Sequence, residues 1–94
     1  MKRLGFSATA RRDIRDTVEV IAAEDPAAAG RLVQRLEAAA DVLVRFPDLG
    51  VRISDTRRAL TVRGTPYRLI YAQTRRGILI LRIWHGACGW PPVI

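Results

Sequence analysis

The sequence predicts an α+β fold in which an N-terminal helical hairpin packs on a small antiparallel β-sheet. Apolar residues recur at helical spacing through residues 8–45 and at period two through residues 59–84. The helices also precede the main strands, so the strands meet one another directly and the hairpin covers one face of the sheet. The expected order is β-α-α-β-β-β, in a single domain spanning residues 1–94.

Lys2–Phe6 is short enough to be only an edge strand, and Gly5 weakens it further. Ser7 has the chemistry of an N-cap, and the first helix runs from Ala8 to about Ala23. Ala10, Ile14, Val18 and Ile21 form its apolar stripe. Asp25-Pro26 restarts the chain, with Asp as N-cap and Pro at the first helical position, where its missing N–H costs nothing. The second helix continues to Val44 or Arg45, with Ala29, Leu32, Val33, Leu36, Ala40 and Leu43 on one side. A two-residue connection makes the pair an antiparallel hairpin. Phe46-Pro47-Asp48-Leu49-Gly50 ends it, and residues 51–56 are expected to be a loop. Ala59–Arg63, Tyr67–Gln73 and Ile78–Trp84 then form a meander. Leu60 and Val62 share a face of the first of these strands, and Gly64-Thr65-Pro66 and Arg75-Arg76-Gly77 make the turns. Ile78–Trp84 is apolar on both faces, so it is expected to be central and covered on both sides.

Charge is unevenly distributed. Residues 1–56 hold nine basic and nine acidic side chains, whereas residues 57–94 hold seven arginines and no Asp or Glu, so the net charge of +7 belongs to the strand half. Fifteen of the sixteen basic residues are arginine, whose planar fork suits carboxylates and phosphates. An anionic partner, nucleic acid or an acidic protein segment, is implied. A single cysteine excludes an intramolecular disulfide and fits a reducing compartment. The N-terminus lacks the apolar core of a signal peptide, and no apolar run approaches membrane-spanning length. A soluble, cytoplasmic protein is therefore expected.

Single residues carry little catalytic signal. His85 is the only histidine, and its nearest acid in sequence is Asp55, so a structural or binding role is expected over acid–base work. One Cys and one His make no four-ligand zinc site, and no metal or cofactor is expected. Arg82 shares strand parity with Ile78, Ile80 and Trp84. It must therefore pair with an acid from the hairpin or project at the sheet margin toward a ligand. Arg68 is the stronger ligand candidate because Arg63 adds to the positive field of the same hairpin. Tyr71 and Trp84 are read as core, and Trp90 as a contact residue in the C-terminal tail.

Five strings extend this reading: Phe6-Ser7 with Ala10 and Asp13-Ile14; Asp25-Pro26-Ala27-Ala28; Phe46-Pro47-Asp48-Leu49-Gly50; Tyr67-Arg68-Leu69-Ile70-Tyr71; and Ile80-Leu81-Arg82-Ile83-Trp84-His85-Gly86-Ala87. In this order and spacing the chain resembles the RelE/ParE superfamily of bacterial toxins, and the ParE branch, or plasmid-stabilisation proteins, in particular. The resemblance covers essentially the whole chain. It implies the toxin of a type II toxin–antitoxin pair, hetero-oligomeric with an acidic, partly disordered ParD-like antitoxin that wraps the hairpin and sheet. ParE-type toxins poison DNA gyrase, and RelE-type toxins cut mRNA in the ribosomal A site.

Of the cationic positions a RelE-type nuclease uses, Arg68 matches one and Arg63 corresponds to a second, with His85 as an added acid–base group. The lysines of the preceding strand fall near Ala59 and Thr61, and the arginine after the last strand falls at Gly86-Ala87-Cys88. Trp90-Pro91-Pro92 stands in place of a terminal Tyr. The resemblance thus favours a gyrase inhibitor that acts by binding, with Arg58, Arg63, Arg68, Arg82 and Trp90 as target- or antitoxin-binding residues. The ribosome-dependent endoribonuclease is the alternative. Cys88-Gly89 departs from the Arg-Asp of the ParE branch, which leaves a relic that only binds antitoxin as a third expectation.

Overall fold

The computed structural model describes residues 3–86. These form β1 (Arg3–Phe6), α1 (Ala8–Glu24), α2 (Pro26–Arg45), β2 (Val51–Arg52), β3 (Arg58–Thr61), β4 (Tyr67–Thr74) and β5 (Gly77–His85). Short polar side chains set the hairpin. Ser7 Oγ accepts from the N–H of Ala10 at 3.0 Å and donates to the carbonyl of Leu81 at 2.9 Å. One serine thereby caps α1 and ties it to β5. Asp25 alone joins the helices, rather than the two residues expected. Its N–H closes α1 on the Ile21 carbonyl while its carboxylate caps α2 at the N–H of Ala28.

The helices cover one face of a five-stranded sheet of order β1-β5-β4-β3-β2. From α2, Leu32, Leu36, Ala40 and Leu43 meet Val62, Leu69, Tyr71, Ile78, Ile80 and Ile83 of the sheet half, with Ala10 of α1 completing the core. Leu43, Leu69, Tyr71 and Ile80 are fully buried. Each such side chain contributes roughly 1.5–3 kcal/mol from removal of apolar surface from water.

The sheet differs from expectation in three ways. It is mixed, because β1 lies parallel to β5; side-chain alternation does not encode strand direction. Residues 51–56, expected to be a loop, contain the two-residue β2, too short for a periodic signal. The middle strand is β4, with β5 beside it inside the sheet as expected. The second face of β5 is only partly covered, Leu79 and Leu81 being half-buried while Ile78, Ile80 and Ile83 are buried. At Gly77, φ is +139° and an added Cβ would collide with the backbone of Arg3, so β1 and β5 can meet there only without a side chain.

Tyr71 fastens the loop after α2. Its hydroxyl donates to the Pro47 carbonyl at 2.7 Å and accepts from the Gly50 N–H at 2.9 Å. A Cβ on Gly50 would lie 2.7 Å from the ring. Burial, opposed by the Gly50 hydrogen bond and by the nearby charge of Arg58, raises the Tyr71 pKa above its ordinary value of 10.0. The folded state therefore favours the protonated phenol. That contribution is complete below pH 10 and is lost as pH climbs through the raised value. Tyr71→Phe is expected to cost about 1–3 kcal/mol in urea unfolding, since two buried backbone groups lose their partner. The variant should also show a shallower loss of stability above pH 10 than the parent; equal slopes would remove Tyr71 as the titrating group.

Candidate functional site

Antiparallel pairing divides the strand residues between two faces. Tyr67, Leu69 and Tyr71 of β4 face the helices, and Arg68 and Ile70 face away. In β5, Ile80 stands opposite Tyr71 but Arg82 stands opposite Ile70, a register shift that leaves Leu81 as an extra residue. Beyond this bulge the parity reverses: Ile83 joins Ile78 and Ile80 in the core, and Arg82 and Trp84 go to the open face. Arg82 therefore does not share a face with Ile78 and Ile80 as strand parity predicted, because a bulge shifts every later side chain by one position.

Arg82 is nonetheless paired with the hairpin. Its Nε and Nη2 donate to Asp13 Oδ2 and Oδ1 at 3.1 and 3.2 Å, and the N–H of Ile83 donates to Oδ2 at 3.0 Å. β1 ends at Phe6, opposite Ile80, so Asp13 satisfies the stretch of β5 edge that β1 does not reach. The hydrogen bond to Asp13, partly opposed by desolvation, raises the Arg82 pKa and holds the guanidinium charged. Its Cζ lies 5.5 Å from the centre of the Trp84 ring, within cation–π range. Trp84, expected in the core, is half-buried on the open face as a result of the bulge.

The other predicted residues do not converge on one point. Arg68 lies on the open face with Thr61 and Trp84 as register partners. Arg63 lies in the exposed turn after β3, where its carbonyl accepts from Arg35 at 3.0 Å. His85 pairs in register with Tyr67, its ring edge-on to the tyrosine at 5.1 Å, on the face opposite Arg68. Arg58 is a loop anchor: Nη1 donates to the carbonyls of Asp48 at 3.1 Å and Gly50 at 2.8 Å. Trp90 and Cys88-Gly89 lie outside the described residues. Among the described residues, no cluster of three or more His, Cys, Asp or Glu could hold a metal ion. No described helix is long and apolar enough to cross a membrane.

Sequence reasoning left Asp13, Asp48 and Arg52 without roles. Asp13 was within the matched strings, yet nothing local shows that it meets Arg82, 69 positions away.

Comparison with known proteins agrees with this architecture. Residues 4–90 match the family model described as the ParE toxin of the type II toxin–antitoxin system parDE. The Y4kP protein of Sinorhizobium fredii, named as a toxin, is 34% identical over 95 residues, covering 99% of this chain and 97% of the relative. Toxin RelE1 of Caulobacter vibrioides is 33% identical over 82 residues, covering 85% and 88%. Among solved structures, a chain of the chromosomal ParDE system of P. aeruginosa superposes with a TM-score of 0.78 at 22% identity, covering 90% of this chain and 96% of that one. A chain of the E. coli DinJ–YafQ complex gives 0.61 at 14% identity, covering 97% and 100%.

The Asp13 cluster makes an asymmetric prediction. Asp13→Ala leaves a guanidinium and the Ile83 N–H without their acceptor and should cost about 2 kcal/mol in urea unfolding. Arg82→Met keeps the acceptor for Ile83 and should cost less. Equal losses would mean that the edge hydrogen bond contributes nothing.

Proposed function

The chain belongs to the ParE toxin family of type II toxin–antitoxin systems, and we propose that it acts in the bacterial cytoplasm by binding and inhibiting DNA gyrase. The observation that carries this reading is the separation of Arg68 from His85. Adjacent residues of β4, Tyr67 and Arg68, point to opposite faces, and His85 goes with Tyr67. A guanidinium stabilises charge but does not exchange protons near neutrality. The one histidine of the chain is thus placed on the face away from Arg68. The face away from the helices, with the half-buried Arg68, Arg82 and Trp84, supplies cationic and aromatic groups suited to an anionic or mixed surface. Arg63 at its margin and Trp90 in the tail would extend that surface, with Arg58 and Arg82 acting chiefly through the elements they hold.

In this proposal a cognate ParD-like antitoxin with an acidic, partly disordered segment neutralises the toxin by folding over the hairpin and sheet. The solved neighbours come from a ParDE system and a toxin–antitoxin complex, which supports such a partner. The second reading, a ribosome-dependent endoribonuclease, rests on Arg63 and Arg68 lying on one hairpin. A relic that only binds antitoxin follows from Cys88-Gly89.

Pulse-labelling of DNA and protein synthesis after induction of this chain alone distinguishes the three. DNA synthesis should fall first, with a DNA-damage response. Protein synthesis falling first, with new mRNA ends, would replace gyrase by the ribosome, and no change in either would leave the relic. Arg68→Glu should weaken growth arrest at least ~tenfold in inducer dose, with a circular dichroism melt of the variant separating lost binding from lost folding.

A further inference from the structure

At the end of the sheet away from His85, β4 and β5 are joined by the two-residue turn Arg75-Arg76, closed by the pairing of Thr74 with Gly77. Thr74 orders this turn. Its Oγ1 accepts from the N–H of Arg76 at 3.2 Å and donates to the carbonyl of Gly77 at 3.5 Å. β1 begins beside it: Arg3 stands opposite Gly77 and donates its N–H to the Arg76 carbonyl. Two distant segments of the chain thereby bring three arginines to one corner.

Arg3, Arg75 and Arg76 are all exposed, and with Leu4, Thr74 and Leu79 they line one open hollow of about 490 Å³. Among the described residues, none of their three guanidinium groups has an ion pair or a side-chain hydrogen bond. Asp48, which accepts from Gln73 one residue before Thr74, is also within 3.7 Å of Arg58. The three cations are spread rather than gathered on one point. β1 and β4 lie on either side of β5, roughly 10 Å apart at the usual strand spacing. Such a spread suits a polyanion with charges at regular intervals better than a single small anion.

We propose that this corner binds the phosphate backbone of duplex DNA without regard to base sequence. Arginine forks match phosphate oxygens, and each phosphate they neutralise releases condensed counterions. No residue lining the hollow is aromatic, so it offers no platform on which unpaired bases could stack, and a duplex is favoured over a single strand. An acidic polypeptide presents carboxylates only where its sequence places them. A nucleic-acid backbone presents a phosphate at every step, so cations on separate segments meet it in any register. The site does not rest on the gyrase reading.

Fluorescence anisotropy of the full chain with a labelled duplex of about 20 base pairs, from about 50 to 200 mM salt, tests it. Binding should saturate and weaken steeply with salt. Replacing Arg75 and Arg76 together by alanine should weaken it ~tenfold or more and reduce the salt slope by about two. Arg3→Ala, on a different strand, should reduce the slope by about one, so the site is tested even where the double variant fails a circular dichroism melt. Alanine at Arg11 and Arg12, two consecutive exposed arginines of α1, should leave affinity within about twofold. Equal weakening by the two double variants would overturn the site in favour of general charge attraction. Absence of saturable duplex binding would overturn it as well. A labelled polyglutamate or a single strand bound more tightly than the duplex would replace duplex DNA by that partner.

Discussion

Opposite the consecutive residues Ile70 and Tyr71, β5 carries Arg82 and Ile80, and the unpaired Leu81 decides what each face of the sheet presents. Without that extra residue, Arg82 and Trp84 would continue the parity of Ile78 and Ile80 into the core, and Ile83 would face outward. With it, Ile83 is buried and the arginine and tryptophan join Arg68 on the open face. The bulge needs a partner for the edge of β5 beyond the end of β1. Asp13 supplies it, taking the Ile83 N–H and the Arg82 fork on one carboxylate. Ser7 does the same one step earlier by accepting from Ala10 while donating to Leu81. The start of α1 thus substitutes for a strand along this edge, and the hairpin is placed on the sheet by polar contacts as well as by its apolar stripe.

The elements that were legible in the sequence are those whose signal is local. Asp25-Pro26 specifies a helix start through side-chain and ring geometry, and the α2 stripe repeats often enough that Ala29, Leu32, Leu36, Ala40 and Leu43 are all buried as expected. The hidden features depend on pairing. A two-residue strand has no period, the parallel placement of β1 depends on where the hairpin returns the chain, and the bulge is a relation between two strands. The candidate site suffered accordingly. The sequence allows Arg82 either an acid partner or a ligand, and the fold supplies the acid, Asp13. Arg58 also holds the loop that ends α2.

The separation of charge along the chain is partly undone by folding. The strand half contributes no Asp or Glu, so among the described residues the acidic side chains that meet its arginines come from residues 1–56, as Asp13 does for Arg82 and Asp48 for Arg58. These contacts differ in kind. The Asp13 side chain is 16% exposed and binds through three hydrogen bonds, whereas Asp48 is mostly in solvent, where an ion pair is worth little. Arg82 is therefore a cation held in place by Asp13. Arg63, Arg75 and Arg76 lie in exposed turns, where burial cannot reduce their charge.

The face away from the helices presents Arg68, Arg82 and Trp84, each half-buried. Arginine stays charged across the accessible pH range, so it can hold and orient an anion or stabilise developing charge without acting as acid or base. The single histidine of the chain lies edge-on to Tyr67, on the face away from Arg68. For the two to cooperate, a substrate would have to reach around the end of the sheet beyond Tyr67 and His85. A protein partner needs no such path: it gains from the breadth of the arginine and tryptophan surface and from its rigidity, because Asp13 has already fixed Arg82 before any partner arrives.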